Sequence, residues 1–256
     1  MTFPRQFLPI VCAGLTATAE LMSADRPGMS NEEGQELAAK LRSTRPIENL
    51  NLNAVMKIHD SNWRTPASKV PLRHQFIEEG RTWRFIYQTE ANPNAPGEEL
   101  AIIHTEGEPN RYLLTRHGDP GGTRILTGDD TMVPFAGSDF WVADLGLEFL
   151  HWPEQRVDTE ARITMRKSRP CKVLESYNPR PGASGYVRVR SWIDAENGGV
   201  IVADAYGPDN RKLKVFEVKK VTKVNDVWEI KNLEMRNEKA DTQTVLEFDY
   251  KQYADE

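Results

Sequence analysis

Leu246, Phe248 and Tyr250 fall on one side of an extended chain and Glu247 and Asp249 on the other. This is the period-two alternation of a strand with one buried face and one wet face. Comparable short runs recur through the last third of the chain, beginning with Tyr186-Val187-Arg188-Val189-Arg190-Ser191-Trp192-Ile193-Asp194. They are separated by Asn197-Gly198-Gly199, Gly207-Pro208-Asp209-Asn210 and Asn225-Asp226. Such clusters form hairpin turns and are too short for the crossover helices that parallel strands require, so an antiparallel meander is expected. Earlier in the chain the pattern predicts strands over 50–59, 72–78, 82–89, 99–105, 111–116 and 124–127, most of them joined by Gly, Pro or Asn.

Two segments break this rhythm. Ser30-Asn31-Glu32-Glu33 has the spacing of a capping box, Leu37 and Leu41 lie one turn apart, and Pro46 ends the run. A helix is expected there, with too few large apolar groups to make a core alone, so its leucine face must pack on a sheet. The second segment carries Trp141, Leu145, Phe149 and Trp152, spaced by four, four and three residues, with Ser138 or Asp139 able to cap the start and Pro153 to stop the end. A single aromatic amphipathic helix over 139–152 is predicted, with Gly146 in its middle costing about 1 kcal/mol relative to Ala and pointing to close packing or a bend. Two readings follow: a plug or lid against the sheet that lines a cavity, or a helix buried as ordinary core. Trp83, Phe85 and Tyr87, three rings on one face of one strand, invite the same pair of readings.

At 256 residues the chain is long enough for one large β domain, and no linker or repeat divides it; a single domain over 25–256 is expected. The net charge is −5 with basic residues scattered among acidic ones, which leaves no footprint for nucleic acid or an anionic membrane surface. Arg5 precedes an apolar run that ends at Glu20, well short of a spanning helix, and small residues at Ala17, Ala19, Ser23 and Ala24 offer cleavage sites. Residues 1–24 therefore read as a signal peptide for export to the periplasm. Cys12 follows Val11 instead of the small residue that a lipidation site requires, and the mature chain keeps Cys171 alone, so no internal disulfide is expected.

Reactive residue types occur without the spacing that catalysis or metal binding needs. Gly182-Ala183-Ser184-Gly185 approaches a nucleophile elbow, but Tyr186 stands where the second glycine is needed and the segment precedes a strand instead of a helix. The glycine-rich loop 118–123 lacks the lysine and hydroxyl of a phosphate loop and reads as a hairpin turn. His59, His74, His104, His117 and His151 show no zinc-like pairing. Asp139 and Asp144, five residues apart, point in different directions and are explained by capping and helix solvation. No catalytic residue, metal or cofactor is expected.

The order of several weak pieces carries a resemblance. Gly137-Ser138-Asp139-Phe140, Asp144-Leu145-Gly146-Leu147 and Phe149-Leu150-His151-Trp152-Pro153 come first. Trp192-Ile193-Asp194, Ala205-Tyr206-Gly207-Pro208-Asp209, Leu213-Lys214-Val215-Phe216, Val227-Trp228, Glu234-Met235 and Thr242-Gln243-Thr244 follow. This succession resembles the bacterial outer-membrane lipoprotein-sorting protein family, with its LolA/LolB-like fold. The resemblance implies a mainly β fold: an antiparallel, incompletely closed barrel, or half-barrel, wrapping a few short helices. It also implies a non-enzymatic periplasmic protein that binds lipoprotein acyl chains or lipid and is loaded by an inner-membrane complex. The apolar cavity would be lined by Trp83, Phe85, Tyr87, Phe140, Trp141, Leu145, Phe149, Trp152 and Trp192. The alternatives are a sensor of envelope lipids on the same fold and, from another class, a hydrolase.

Overall fold

The computed structural model describes residues 28–46, 48–91, 95–159 and 163–253, so the expected signal segment 1–24 lies outside the described residues. The strands are β1 (Met29–Ser30), β2 (Leu50–His59), β3 (Ser68–Glu79), β4 (Thr82–Thr89), β5 (Glu98–Thr105), β6 (Arg111–Arg116), β7 (Thr123–Leu126), β8 (Glu154–Asp158) and β9 (Thr164–Arg166). They continue with β10 (Arg169–Tyr177), β11 (Arg188–Asp194), β12 (Val200–Tyr206), β13 (Lys212–Val224), β14 (Val227–Asn237) and β15 (Thr242–Asp249). All belong to one antiparallel sheet in the order β1-β8-β10-β11-β12-β13-β14-β15-β2-β3-β4-β5-β6-β7, with β9 beside β10. The sheet does not close, and β1 and β7 are its ends: this is the expected half-barrel.

Hairpin chemistry explains most of the neighbours. Asn225 and Asp226 take φ of 47° and 63°, the paired left-handed conformation of a two-residue turn that matches strand twist, between β13 and β14. One long-range pairing organises the rest. β15 returns to β2 with seven residue pairs, from Gln243↔His59 to Asp249↔Asn53, and so joins the C-terminal meander to the N-terminal one. A consequence is that β7 and β8, neighbours in sequence, lie toward opposite ends of the sheet. The chain between them, residues 127–153, has to cross the sheet, and it does so over the concave face.

The core divides into two clusters under that crossing segment. The first gathers Leu52, Met56, Phe76, Leu100, Ile102, Tyr112 and Leu246 from the sheet with Phe135, Phe140 and Val142 from the crossing. The second gathers Val157, Leu174, Val189 and Ile193 with Phe149, Leu150 and Trp152 from the crossing and Ala38 and Leu41 from helix α1 (Asn31–Arg42). Phe216 of β13 touches both. Each fully buried side chain of this size is worth about 1.5–3 kcal/mol of transfer free energy. Helix α1 starts as its capping box predicts, the Ser30 hydroxyl accepting from the Glu33 amide at 3.2 Å. Its Gly34 lies so close to β8 that a Cβ there would sit 2.2 Å from the Gln155 carbonyl oxygen, which lets the short apolar face reach the sheet.

Candidate functional site: a strap across the concave face

The crossing segment, the strap, holds most of the aromatic residues that the sequence points to, but not on one helix. Helix α2 covers only Val142–Leu145, Leu147 turns left-handed at φ 48°, and Glu148–His151 form a separate 3-10 turn. The predicted single helix over 139–152 therefore does not form. Tertiary contacts explain why. A Cβ on Gly146 would meet the Tyr112 hydroxyl at 2.3 Å, and the Gly146 carbonyl accepts from the Asn110 amide at 2.9 Å instead of continuing a helical ladder. Trp141 is extended, with φ −79° and ψ 159°, and its amide donates to the Asp144 carboxylate at 2.8 Å, so Asp144 and not Ser138 or Asp139 closes the helix start.

Breaking the helix redistributes its stripe. Phe140 and Leu145 join the first cluster, where Trp83, Phe85 and Tyr87 of β4 also lie; Trp141, Phe149 and Trp152 join the second. Trp192 is not among them. It alternates with Ser191 and Ile193 on β11 and stands on the convex face, its ring under the guanidinium groups of Arg166 at 4.5 Å and Arg190 at 5.4 Å.

Buried polar contacts fasten the strap at intervals. The Asp139 carboxylate accepts from the hydroxyls of Thr242, at 2.5 Å, and Thr244, at 2.8 Å, at the start of β15. Asp144 accepts from the Tyr186 hydroxyl at 2.9 Å and from the Lys214 ammonium at 3.3 Å. The two aspartates do point apart, as their spacing suggests, but both are buried; capping accounts for part of Asp144 and solvation for neither. Farther along, Tyr112 donates to Glu148 at 2.8 Å, and the buried Gln155 donates to the carbonyls of Phe149 and Trp152 at 2.8 and 2.9 Å. Burial pushes the Glu148 carboxyl up to about 7 against the opposing effect of the Tyr112 bond. It holds His104 and His151 down at about 4, the charge of Arg42 adding to the effect at His151.

Lys214 lies at the centre. Only 2 % of it is exposed, its ammonium donates to the Asp139 carbonyl at 2.7 Å, and it sits 3.6 Å from the centre of the Trp141 ring, which stacks on Tyr186 at 4.7 Å. Burial lowers its pKa while Asp144 works the other way. Neither Lys214 nor its partner Tyr186 is among the residues expected at the site. A signal for Lys214 existed: it shares the inward parity of Phe216 and Val218 on β13, and a charge at such a position needs a buried partner. Tyr112, Asn110 and Glu148 had no comparable signal.

Side chains of the strap and the sheet pack together in both core clusters. A cavity of about 20 Å³ lies between Lys214, Asp144, Leu147, Phe149, Phe216 and Met235. That is roughly room for one water, against the roughly 300–1,000 Å³ of ligand pockets. In this conformation the aromatic residues act as core. The near-elbow serine, Ser184, is exposed on the loop between β10 and β11. Among the described residues no group of three or more His, Cys, Asp or Glu side chains is placed to hold a metal.

The model of a protein family described as "-like: Uncharacterized protein" matches residues 119–256, more than half of the chain and including the whole strap from residue 127 on. The chain belongs to this family. No curated protein matches it. Solved structures agree with its architecture. A DUF1329 family protein from Desulfovibrio piger superposes with a TM-score of 0.67 at 13% identity, covering 86% of this chain and 91% of that one. A putative outer membrane lipoprotein-sorting protein domain from Vibrio parahaemolyticus gives 0.66 at 18% identity with the same coverage. A LolA superfamily protein from Nitrosomonas europaea gives 0.57 at 14% identity, again over 86% and 91%. This chain shares its fold with these three proteins, and at these identities the likeness is one of fold.

Proposed function

We propose that this protein is a non-enzymatic periplasmic carrier that binds the acyl chains of a lipoprotein or a lipid on the concave face of its sheet, beneath the strap. The observation that supports this reading most is how that face is covered. A sheet of this size that stays open presents a broad apolar surface, and one connecting segment with helix α1 beside it covers that surface, the segment packing into both clusters and fastened at a few buried polar points. A segment held this way can leave as a unit, whereas strands in a closed barrel cannot. Acyl chains would replace strap side chains at about 0.8 kcal/mol per buried methylene, and the strap's return would release them. One neighbouring structure, a putative outer membrane lipoprotein-sorting protein domain, favours the same cargo class.

The test combines a fluorescent fatty-acyl probe with hydrogen exchange. The probe should bind, be displaced by lipopeptide, and strip protection from the amides of residues 135–152. Binding with strap protection unchanged would move the site elsewhere, and an absence of binding would end the carrier reading. Export is tested separately by N-terminal sequencing of protein recovered from the periplasm: cleavage near residue 24 is expected, and an intact Met1 in a cytosolic fraction refutes it.

A further inference from the structure

Resting on the reading above, we infer that Lys214 is the headgroup partner of the ligand and that the strap's Asp144 carboxylate occupies, in the closed state, the position of the ligand's own anion. The Lys214 ammonium is buried, and its hydrogen-bonding partners, the Asp144 carboxylate and the Asp139 carbonyl, both belong to the strap, as does the Trp141 ring below it. When the strap lifts, Lys214 loses its counter-charge, its carbonyl and its nearest ring in one step. The side chains around it, Val189, Ala203, Ala205, Phe216 and Met235, belong to the sheet and offer no replacement charge. Acyl chains that take the strap's place bury the ammonium again, and a buried ammonium without a partner is strongly disfavoured, so the ligand-filled state is favoured by a new anion beside Lys214.

The apolar lining together with one buried cation selects the ligand class. It must carry a single anionic head, a carboxylate or a phosphate, on an apolar chain. Tyr186, which donates to Asp144 at 2.9 Å and is itself carried by the sheet side, remains to donate to the incoming oxygen. A cargo whose chains are joined only through neutral ester and amide links offers Lys214 carbonyl acceptors, as Asp139 does, but no counter-charge. The site therefore favours an anionic lipid over the acylated terminus of a lipoprotein.

The experiment titrates the full mature protein with three fluorescent probes of one chain length: a fatty acid, its methyl ester, and a lysophospholipid with a terminal phosphate. One of the anionic probes should bind about ten-fold or more tightly than the ester, and which one identifies the head. Asp144→Asn, which removes the competing carboxylate but keeps its hydrogen-bond acceptor, should raise affinity for that anion. The double variant Asp144→Asn, Lys214→Met leaves no unpaired charge, so it keeps the fold, and it should bring the anion-to-ester ratio to about one. Equal affinity for all three probes in the parent and the variants would overturn the headgroup assignment and leave the acyl-binding reading standing. Binding of none of them would overturn both.

Discussion

Lys214 and Asp144 form the most heavily buried ion pair on the strap, and substituting each alone and both together measures how the strap is held. In Lys214→Met the Asp144 carboxylate keeps the Trp141 amide and the Tyr186 hydroxyl but loses its counter-charge at a site 8 % exposed. Breaking a buried pair in this way costs about 3–5 kcal/mol. Asp144→Asn leaves the ammonium with the Asp139 carbonyl and the Trp141 ring but without its counter-charge, and should also cost about 3–5 kcal/mol. The double variant has no charge to bury and should lie within about 2 kcal/mol of the parent. The coupling between the two sites is therefore on the order of 3 kcal/mol or more. Urea unfolding followed by tryptophan fluorescence and far-UV circular dichroism gives the three midpoints. Costs that add to within about 0.5 kcal/mol would show that the two charges do not depend on each other, and would refute both the latch and the headgroup argument built on it.

Four further predictions follow from individual contacts. Glu148, held at about 7 in the fold against an ordinary 4.5, contributes stability that is fully present below 4.5 and lost as the pH rises through 7; Glu148→Gln, which still accepts from Tyr112, should raise the urea midpoint relative to the parent above about pH 7, and an unchanged or lower midpoint there would count against a buried carboxyl. His74, ringed by Phe85, Tyr87 and Phe248 with its Nδ1 unpaired, is pushed down to about 3, so its contribution is present above 6.5 and lost as the pH falls toward 3; His74→Phe should flatten the acid limb of a circular-dichroism pH titration, and an unaltered limb would refute this. Gly146→Ala drives a methyl into Tyr112 and should cost about 1–3 kcal/mol in urea unfolding, whereas a neutral effect would mean that the strap yields freely there. Trp192→Ala, on the convex face, should leave acyl-probe affinity unchanged while Trp141→Ala, which loosens the closed strap on Lys214, raises it; a response to Trp192→Ala alone would place the ligand on the other side of the sheet.

Much of the fold could be read from the sequence because its determinants are local. Alternation at Leu246, Phe248 and Tyr250, the capping spacing from Ser30 to Glu33 and the Asn225-Asp226 turn each depend on a few adjacent residues, and each appears where the pattern puts it. Alternation also separates Trp192 from Ile193, but it cannot say which face of a curved sheet is the concave one, and so Trp192 was grouped with residues on the opposite side. The pairing of β15 with β2 joins residues nearly two hundred positions apart, and no window of sequence contains it. That pairing sends the strap across the sheet, where Tyr112 and Asn110 claim the space and the carbonyl that a continuous helix from 139 to 152 would need. Helical spacing at Trp141, Leu145 and Phe149 is a preference of tenths of a kcal/mol per pair, and buried contacts worth more overrode it. The pairing of Lys214 with Asp144 belongs to the same category: the sequence marks a lysine on an inward face, and only the assembled sheet brings the strap's carboxylate to it.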